Sequence, residues 1–142
     1  MTTTTKIETM SDAEWTVMRI FWTLGQGTSK DAIMYLKRKT DWKEATVKTL
    51  IIRLQKKNFL KADESSRPYV YKPLIEESEA IHENVNHMFN SLCCMKKGQA
   101  IEDLINNSDI SKSDITDMIN LLNKKAETAP DKVECDCLGK EA

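Results

Sequence analysis

Apolar side chains in the first part of the chain recur at the spacing of helix faces, and polar capping residues precede them. Ser11 and Glu14 form the sequence pattern of a capping box. The apolar residues that follow at i, i+3, i+6 and i+7 are Trp15, Met18, Phe21 and Trp22. This pattern stops at Gly25, which predicts a first helix. A second helix is predicted to begin from a cap at Thr28 or Ser29 and to end near Thr40.

A third apolar face predicts a helix from about Trp42 to Lys57. Its core positions are Val47, Leu50, Ile51 and Leu54. Asn58 favours a helix end in the left-handed conformation, and residues 60–72 hold two alternating stretches around a polar connection, typical of a hairpin. Three helices followed by a hairpin is the order of elements in a winged helix-turn-helix DNA-binding domain, which we expect over residues 1–74.

Amphipathic helices are also predicted in the second half of the chain, over about 75–92, around 100–105 and from a cap at Ser111. Their apolar residues exceed what one small three-helix layer buries, so we expect a second copy of the chain to cover them. The predicted dimer interface is Ile81, Val85, Met88, Phe89, Leu92, Ile115, Met118, Ile119 and Leu122. The expected organisation is mainly α with a small β-hairpin, with a helical dimerisation domain over 75–127 and a flexible tail over 128–142.

Charge is divided unevenly along the chain. Residues 1–74 carry 14 Lys and Arg against 8 Asp and Glu, net +6, whereas residues 75–142 carry 7 against 14, net −7. Within the first part, the segment from Leu36 to Lys61 has nine basic residues against two acidic ones, net +7. A polyanionic partner such as DNA therefore belongs with the N-terminal half. A solvated helix surface is the alternative interpretation of the same charges.

Four cysteines occur as two pairs. The polar start, Met1–Lys6, lacks an apolar signal region, so we expect a cytoplasmic protein without a membrane partner, whose thiols stay reduced. Cys93 and Cys94 lie between apolar helices and are interpreted as small core thiols. Cys135 and Cys137 lie on the tail, where soft thiolates favour metal binding over the alternative of chance surface thiols.

Two blocks of the sequence resemble the penicillinase repressor (BlaI/MecI) family. Residues 11–22, SDAEWTVMRIFW, look like the opening of that family, and residues 41–50, DWKEATVKTL, with Arg53-Leu54 look like its recognition helix. The similarity covers roughly residues 10–125. It implies a homodimeric repressor of double-stranded operator DNA. The DNA-facing residues that the resemblance implies are Lys43, Thr46, Lys48, Thr49 and Arg53, with Arg67 of the wing on the DNA backbone.

The second block is closer to the CopY-type copper-responsive repressors than to the antibiotic branch. CopY-type repressors are known for a C-terminal Cys-x-Cys-x4-Cys-x-Cys motif. This motif binds Zn(II) in the DNA-bound form and exchanges it for Cu(I), which releases the operator. Here Cys135-Asp136-Cys137 matches the first pair, and Ala142 stands where the second would begin. Two thiolates suffice for Cu(I) but not for tetrahedral zinc, unless two tails of a dimer combine. A copper chaperone is a further partner expected for such a protein.

Three other functions are compatible with parts of the sequence. In the antibiotic-responsive branch, a repressor is inactivated by cleavage at a bond resembling Asn-Phe, whereas the matching position here is Asp103-Leu104, which disfavours that control. A thiolate copper buffer that does not bind DNA is the second alternative, and the basic third helix argues against it. An enzyme has little support, because His82 and His87 lie in the predicted dimerisation region and no phosphate-binding glycine loop or HExxH pattern occurs.

Overall fold

The computed structural model describes residues 9–139, and within them the chain is mainly helical with one small antiparallel sheet. The helices are α1 (Asp12–Leu24), α2 (Ser29–Leu36), α3 (Glu44–Lys56), α4 (Glu77–Asn90), α5 (Lys97–Asn107) and α6 (Lys112–Ala126). The strands are β1 (Leu60–Asp63) and β2 (Val70–Pro73), and a 3-10 turn, Cys94–Lys96, precedes α5. The predicted fold class is confirmed. The predicted polar start at residues 1–6 and the position of Ala142 lie outside the described residues.

Side-chain caps start the first two helices where the sequence predicts them. The Ser11 hydroxyl accepts a hydrogen bond from the Glu14 backbone N–H at 3.2 Å, and the Glu14 carboxylate accepts one from the Ser11 N–H at 3.1 Å. Thr28 and Asp31 form the same reciprocal pair at the start of α2. Helix α2 ends at Leu36, earlier than the predicted end near Thr40, because the Arg38 and Lys39 N–H groups bond to carbonyls three residues back instead of four.

The hydrophobic core is formed by the first three helices and the start of the hairpin. All four predicted core positions of α3 are buried, so the predicted apolar face of this helix is confirmed. The core residues are Val17, Met18, Phe21, Ala32, Ile33, Leu36, Val47, Leu50, Ile51, Leu54, Phe59 and Leu60. Asn58, with φ 64°, allows the sharp turn from α3 into β1 that the sequence predicts.

The hairpin is joined to the connection between α1 and α2 by backbone hydrogen bonds. The Tyr71 N–H donates to the Gly27 carbonyl at 2.7 Å, and the Gly27 N–H donates to the Tyr71 carbonyl at 3.1 Å. The Tyr71 ring also lies edge-on to Phe21 of the core, with centroids 6.1 Å apart. These contacts hold the wing against the helical core.

A buried ion pair connects α1 with the end of α3. Glu14 is 3% exposed, and its carboxylate lies 2.9 Å from the Lys57 Nζ. Burial raises the pKa of Glu14, but hydrogen bonds from Lys57 and Ser11 outweigh this and hold the pKa below its ordinary value. The sequence analysis did not identify this pair, whose members are 43 positions apart.

Two compact units divide the chain between Asn86 and His87. The first unit continues past residue 74, where we expected the DNA-binding domain to end, because the segment after β2 packs onto it. The Trp22 indole N–H donates to the Ile75 carbonyl at 2.9 Å, and Ala80 of α4 is fully buried.

In the second unit, α5 and α6 bury none of their residues. The Ser111 cap of α6 is confirmed, since its hydroxyl accepts from the Asp114 N–H at 3.1 Å. Of the residues predicted for the dimer interface, those exposed are Ile81, Val85, Met88, Ile115, Ile119 and Leu122, and those half-buried are Phe89, Leu92 and Met118. Among the residues described, no helix is both long enough and apolar enough to cross a bilayer.

Candidate functional site

Helix α3 presents two chemically different faces. Because one side is held in the core, the remaining side chains are forced outward by the helical period of 3.6 residues. The exposed residues on or next to α3 that we expected to face DNA are Lys43, Thr46, Lys48, Thr49 and Arg53. The structure therefore brings these five residues onto one element and leaves each open to solvent.

A shallow groove runs along the outward side of α3. Ala45, Thr46, Thr49 and Arg53 line it, together with the edge of Leu50. The Thr49 hydroxyl donates to the Ala45 carbonyl at 2.9 Å, which leaves the oxygen lone pairs as acceptors. Small and hydroxylated side chains next to an arginine let another molecule approach the helix closely and meet both donors and acceptors.

The wing adds a further cation. Arg67 is exposed in the connection between β1 and β2, and its guanidinium lies 5.4 Å from the Tyr69 ring centroid, which is cation–π distance. Asp63 accepts hydrogen bonds from the Ser65 hydroxyl and backbone N–H, which order the start of the turn and lower the pKa of its carboxyl. Arg67 thus stands on a locally ordered connection.

Not all of the basic segment is free to meet an anion. The Lys57 Nζ is occupied by Glu14 and by the Thr9 carbonyl at 3.2 Å. Lys37 forms a surface ion pair of 3.8 Å with Glu44. The candidate surface is therefore the outward side of α3 with the wing arginine, and the charge count alone overstated its extent.

The cysteines form a second candidate site, in the C-terminal unit. The sulfur atoms of Cys93, Cys135 and Cys137 all lie within 4.8 Å of one another, and the Cys93 and Cys135 sulfurs are 3.6 Å apart. Within residues 9–139, no other group of three or more His, Cys, Asp or Glu side chains is close enough to share a metal ion. The interpretation of Cys93 and Cys94 as core thiols is wrong, because both are only half-buried in the connection between α4 and α5, where the tail returns.

Hydrogen bonds hold the tail in this position. The Asp136 carboxylate accepts from the Cys94 backbone N–H at 3.1 Å and from the Cys94 thiol at 2.8 Å. The Cys137 N–H donates to the Cys135 sulfur at 3.4 Å, and the Gly139 N–H donates to the Asp136 carbonyl at 3.4 Å. The expected flexible tail thus has a defined contact, although its residues are exposed and irregular.

The pKa values of the thiols in and beside the cluster are shifted in different directions. A backbone hydrogen bond from Met95, followed by hydrogen bonding with Cys137, lowers the pKa of the Cys93 thiol. Hydrogen bonds with Cys135 and Cys93 raise the pKa of Cys137 to about 12. The thiol-to-carboxylate hydrogen bond raises the pKa of Cys94 and lowers that of Asp136. Three crowded sulfurs cannot all lose their protons easily, unless a cation replaces the protons.

Sequence reasoning identified two of the three clustered thiols and missed Cys93. The apolar stripe of the helix predicted over 75–92 ends at Leu92, and the following segment contains Lys96 and Lys97, which is a polar setting for a core thiol. That break in the pattern was the available signal. It could show that Cys93 is accessible, but it could not show that the tail reaches it.

Comparison with known proteins identifies the family. The penicillinase repressor family matches residues 10–124. The chain is 46% identical over 129 residues to the uncharacterized 16.5 kDa protein in the ptsI 3' region of Latilactobacillus sakei, covering 91% of this chain and 88% of the relative. It is 29% identical over 116 residues to the methicillin resistance regulatory protein MecI of Mammaliicoccus sciuri, covering 82% and 94%.

Among solved structures, the CopR repressor is 39% identical to this chain and aligns with 49% of it and 100% of the CopR chain, with a TM-score of 0.42. The family match contains both sequence blocks of the predicted resemblance, the one that opens α1 and the one that forms α3. The chain therefore belongs to the penicillinase repressor family.

Proposed function

We propose that this protein is a homodimeric, copper-responsive repressor that binds double-stranded operator DNA. The observation that carries the DNA-binding part is the division of α3 into a buried apolar face and an exposed face of hydroxyl and basic groups. A helix of this kind fits the major groove, and membership in a repressor family supports the same function.

In this proposal, different side chains of α3 and the wing contact different parts of the DNA. Arg53 reads a base edge, because a guanidinium can donate two hydrogen bonds to guanine. Thr46 contacts a base or a phosphate through its hydroxyl. The Thr49 hydroxyl, whose hydrogen is bonded to Ala45, accepts a hydrogen bond from a base. Lys43 and Lys48 contact phosphates. Arg67, on the wing, contacts the sugar-phosphate backbone. This contact adds affinity without sequence preference.

The apolar surface of the C-terminal half supports the homodimer. Helices α5 and α6 bury no residue, and large aliphatic side chains such as Ile115, Ile119 and Leu122 are 44%, 52% and 57% exposed. An apolar surface of this kind on a folded protein marks an interaction site. A dimer of this kind would bind a two-fold operator whose half-sites lie about 34 Å apart, one turn of DNA.

The metal-responsive part of the proposal is carried by the cysteine cluster. Thiolates are soft ligands that select Cu(I) and Zn(II) over Mg(II), Ca(II) or Mn(II). Cu(I) bound by Cys135 and Cys137 would weaken operator binding only if it binds the DNA-free form more tightly than the DNA-bound form. A tenfold loss of DNA affinity needs about 1.4 kcal/mol of such coupling. In the DNA-bound form, the protein would hold Zn(II) in place of Cu(I).

Control by proteolysis is the alternative within the family. Asp103 and Leu104, at the position of the cleaved bond in the resembling branch, lie inside α5. A protease acts on extended chain, so α5 would have to unwind first. This observation favours metal over cleavage as the signal.

A gel-shift assay on a copper-efflux promoter fragment tests the proposal, with metal-free, Zn(II)-loaded and Cu(I)-loaded protein side by side. We expect sequence-specific binding by the metal-free and zinc forms, and at least tenfold weaker binding with Cu(I). A shuffled fragment of equal length controls for non-specific binding.

A double variant, Cys135→Ser with Cys137→Ser, separates the two parts of the proposal. It should bind DNA like the unchanged protein and lose its response to Cu(I). Metal binding without any operator binding would instead favour the thiolate copper buffer. Operator binding that Cu(I) leaves unchanged would contradict the copper-responsive part alone.

A further inference from the structure

Two parts of the C-terminal unit that are distant in sequence meet at the cysteines. Cys93, before α5, and Cys135, in the tail, are 42 positions apart, yet their sulfurs lie 3.6 Å from each other. We propose that Cys93 is a third metal-binding thiolate, so that one Cu(I) ion ties the tail to the connection between α4 and α5. This inference deepens the metal response proposed above and rests on it.

The spacing of the sulfurs suits one ion. With metal–sulfur bonds of about 2.3 Å, two thiolates on the same ion lie roughly 3.8 to 4.0 Å apart. The sulfurs of Cys93, Cys135 and Cys137 lie within 4.8 Å of one another, so small rotations of the side chains reach that distance. A distant third ligand would have to close a long loop at an entropic cost, and here the loop is already closed.

Asp136 explains why the tail presents its cysteines at this place. Its two carboxylate oxygens accept hydrogen bonds from the backbone and the side chain of Cys94, which fixes the residue between Cys135 and Cys137. The two flanking sulfurs are then directed to the neighbour of Cys94 in sequence, Cys93. Cys94 itself uses its thiol as a hydrogen-bond donor, so we assign it as a positioning residue and not as a ligand.

The number of ligands distinguishes between metals. Tetrahedral zinc takes four ligands, and the cluster offers three thiolates within the described residues. Soft three-coordinate ligation by sulfur suits Cu(I) without a fourth group. Zn(II) in the same place would need water or a thiolate from another chain, so we assign the three-thiolate site to Cu(I).

The position of the site indicates how the ion acts on the rest of the chain. Cys93 and Cys135 flank α5 and α6, the two helices whose apolar side chains are exposed. An ion that joins these residues fixes the loop that contains both helices and restricts their arrangement. If that surface forms the dimer, the ion acts on the dimer directly, without a contact to DNA.

Differential alkylation of the unchanged full-length protein tests the ligand assignment. The protein is held without oxygen, given one equivalent of Cu(I), treated with iodoacetamide and mapped by fragment mass spectrometry. We expect Cu(I) to slow the alkylation of Cys93, Cys135 and Cys137 relative to the metal-free protein, and to leave the rate at Cys94 unchanged, which is slow in both forms because its thiol is hydrogen-bonded to Asp136. Rapid alkylation of Cys93 in the copper-loaded protein would overturn the proposal, as would a Cys93–Cys135 disulfide, seen as the loss of two hydrogen masses.

Matched serine variants supply a second measurement. In a competition with the Cu(I) chelator bicinchoninate, Cys93→Ser should bind Cu(I) at least about tenfold more weakly, about 1.4 kcal/mol. Cys94→Ser retains a donor for Asp136 and should stay within about threefold of the unchanged protein. Circular dichroism checks that both variants are folded. Equal affinity of Cys93→Ser and the unchanged protein would exclude Cys93 as a ligand.

The outcomes separate this inference from the function on which it rests. Protection of Cys93 with no effect of Cu(I) on operator binding supports the three-thiolate site and contradicts the copper-responsive repressor. Release of the operator by Cu(I) at unchanged concentration in Cys93→Ser, with Cys93 reactive in the parent protein, supports the repressor and overturns the third ligand.

Discussion

The two compact units contain helices of the same amphipathic kind, but only one unit buries their apolar faces. In the first unit, α1, α2 and α3 each contribute several fully buried side chains to one core. In the second unit, α5 and α6 contribute none, and Ile119 is 52% exposed. An amphipathic pattern thus predicts that a helix forms, but it does not identify what covers the apolar face.

The comparison also separates the candidate sites. The proposed DNA-facing surface lies on a helix whose other face is buried in the core, so its side chains are positioned by residues on the same element. The cysteine cluster lies on a connection and a tail, where it is positioned by hydrogen bonds between segments far apart in sequence. The first site suits recognition of a fixed partner shape, and the second suits a ligand that changes the arrangement of its surroundings.

The largest expected effect is the loss of core packing in the first unit. Leu54 is fully buried in α3, and Leu54→Ala should lower the free energy of unfolding by about 2 to 5 kcal/mol through lost burial and a cavity. Ile52, on the same helix, is 52% exposed, and Ile52→Ala should cost less than about 1 kcal/mol. Urea denaturation followed by circular dichroism measures both. Equal costs for the two variants would contradict the assignment of the core face.

An intermediate effect is expected from the DNA-facing surface. Arg53→Ala should weaken specific operator binding by about 1 to 3 kcal/mol if Arg53 contacts a base, with thermal stability unchanged. Arg19→Ala is the matched control, because Arg19 is also exposed but lies on α1. Fluorescence anisotropy with the promoter fragment measures both affinities. The recognition role of α3 would be untenable if Arg53→Ala and Thr49→Ala both bound as tightly as the control.

The smallest effect is expected in the second unit and concerns assembly. A charge in the apolar surface of α6 should oppose dimerisation, so Ile119→Lys should weaken self-association about tenfold, or about 1.4 kcal/mol. Asn120→Lys places the same charge on the opposite, polar side of α6, where Asn120 is exposed, and should leave association unchanged. Sedimentation of the unchanged protein should give a dimer at micromolar concentration. A monomer under those conditions would contradict the proposed interface.

The sequence by itself determined the features that depend on local interactions. The caps at Ser11, Thr28 and Ser111, the left-handed stop at Asn58 and the apolar face of α3 each involve residues within a few positions of one another. Their hydrogen bonds and periodicities are therefore readable from the order of residues. The two blocks that carry the family resemblance lie in these same elements, which is why the family could be identified early.

Only the tertiary structure decided the features that join distant segments. The backbone pairing of Gly27 with Tyr71 and the hydrogen bond from the Trp22 indole to Ile75 leave no periodic signal in the sequence. The approach of the tail to Cys93 likewise depends on the path of more than forty residues, which hold α5 and α6 between the two cysteine pairs. Spacing along the chain revealed Cys135 and Cys137 as a pair, but the third thiol of the cluster became visible only when the folded chain returned to it, because proximity between distant residues is set by the fold and not by their order.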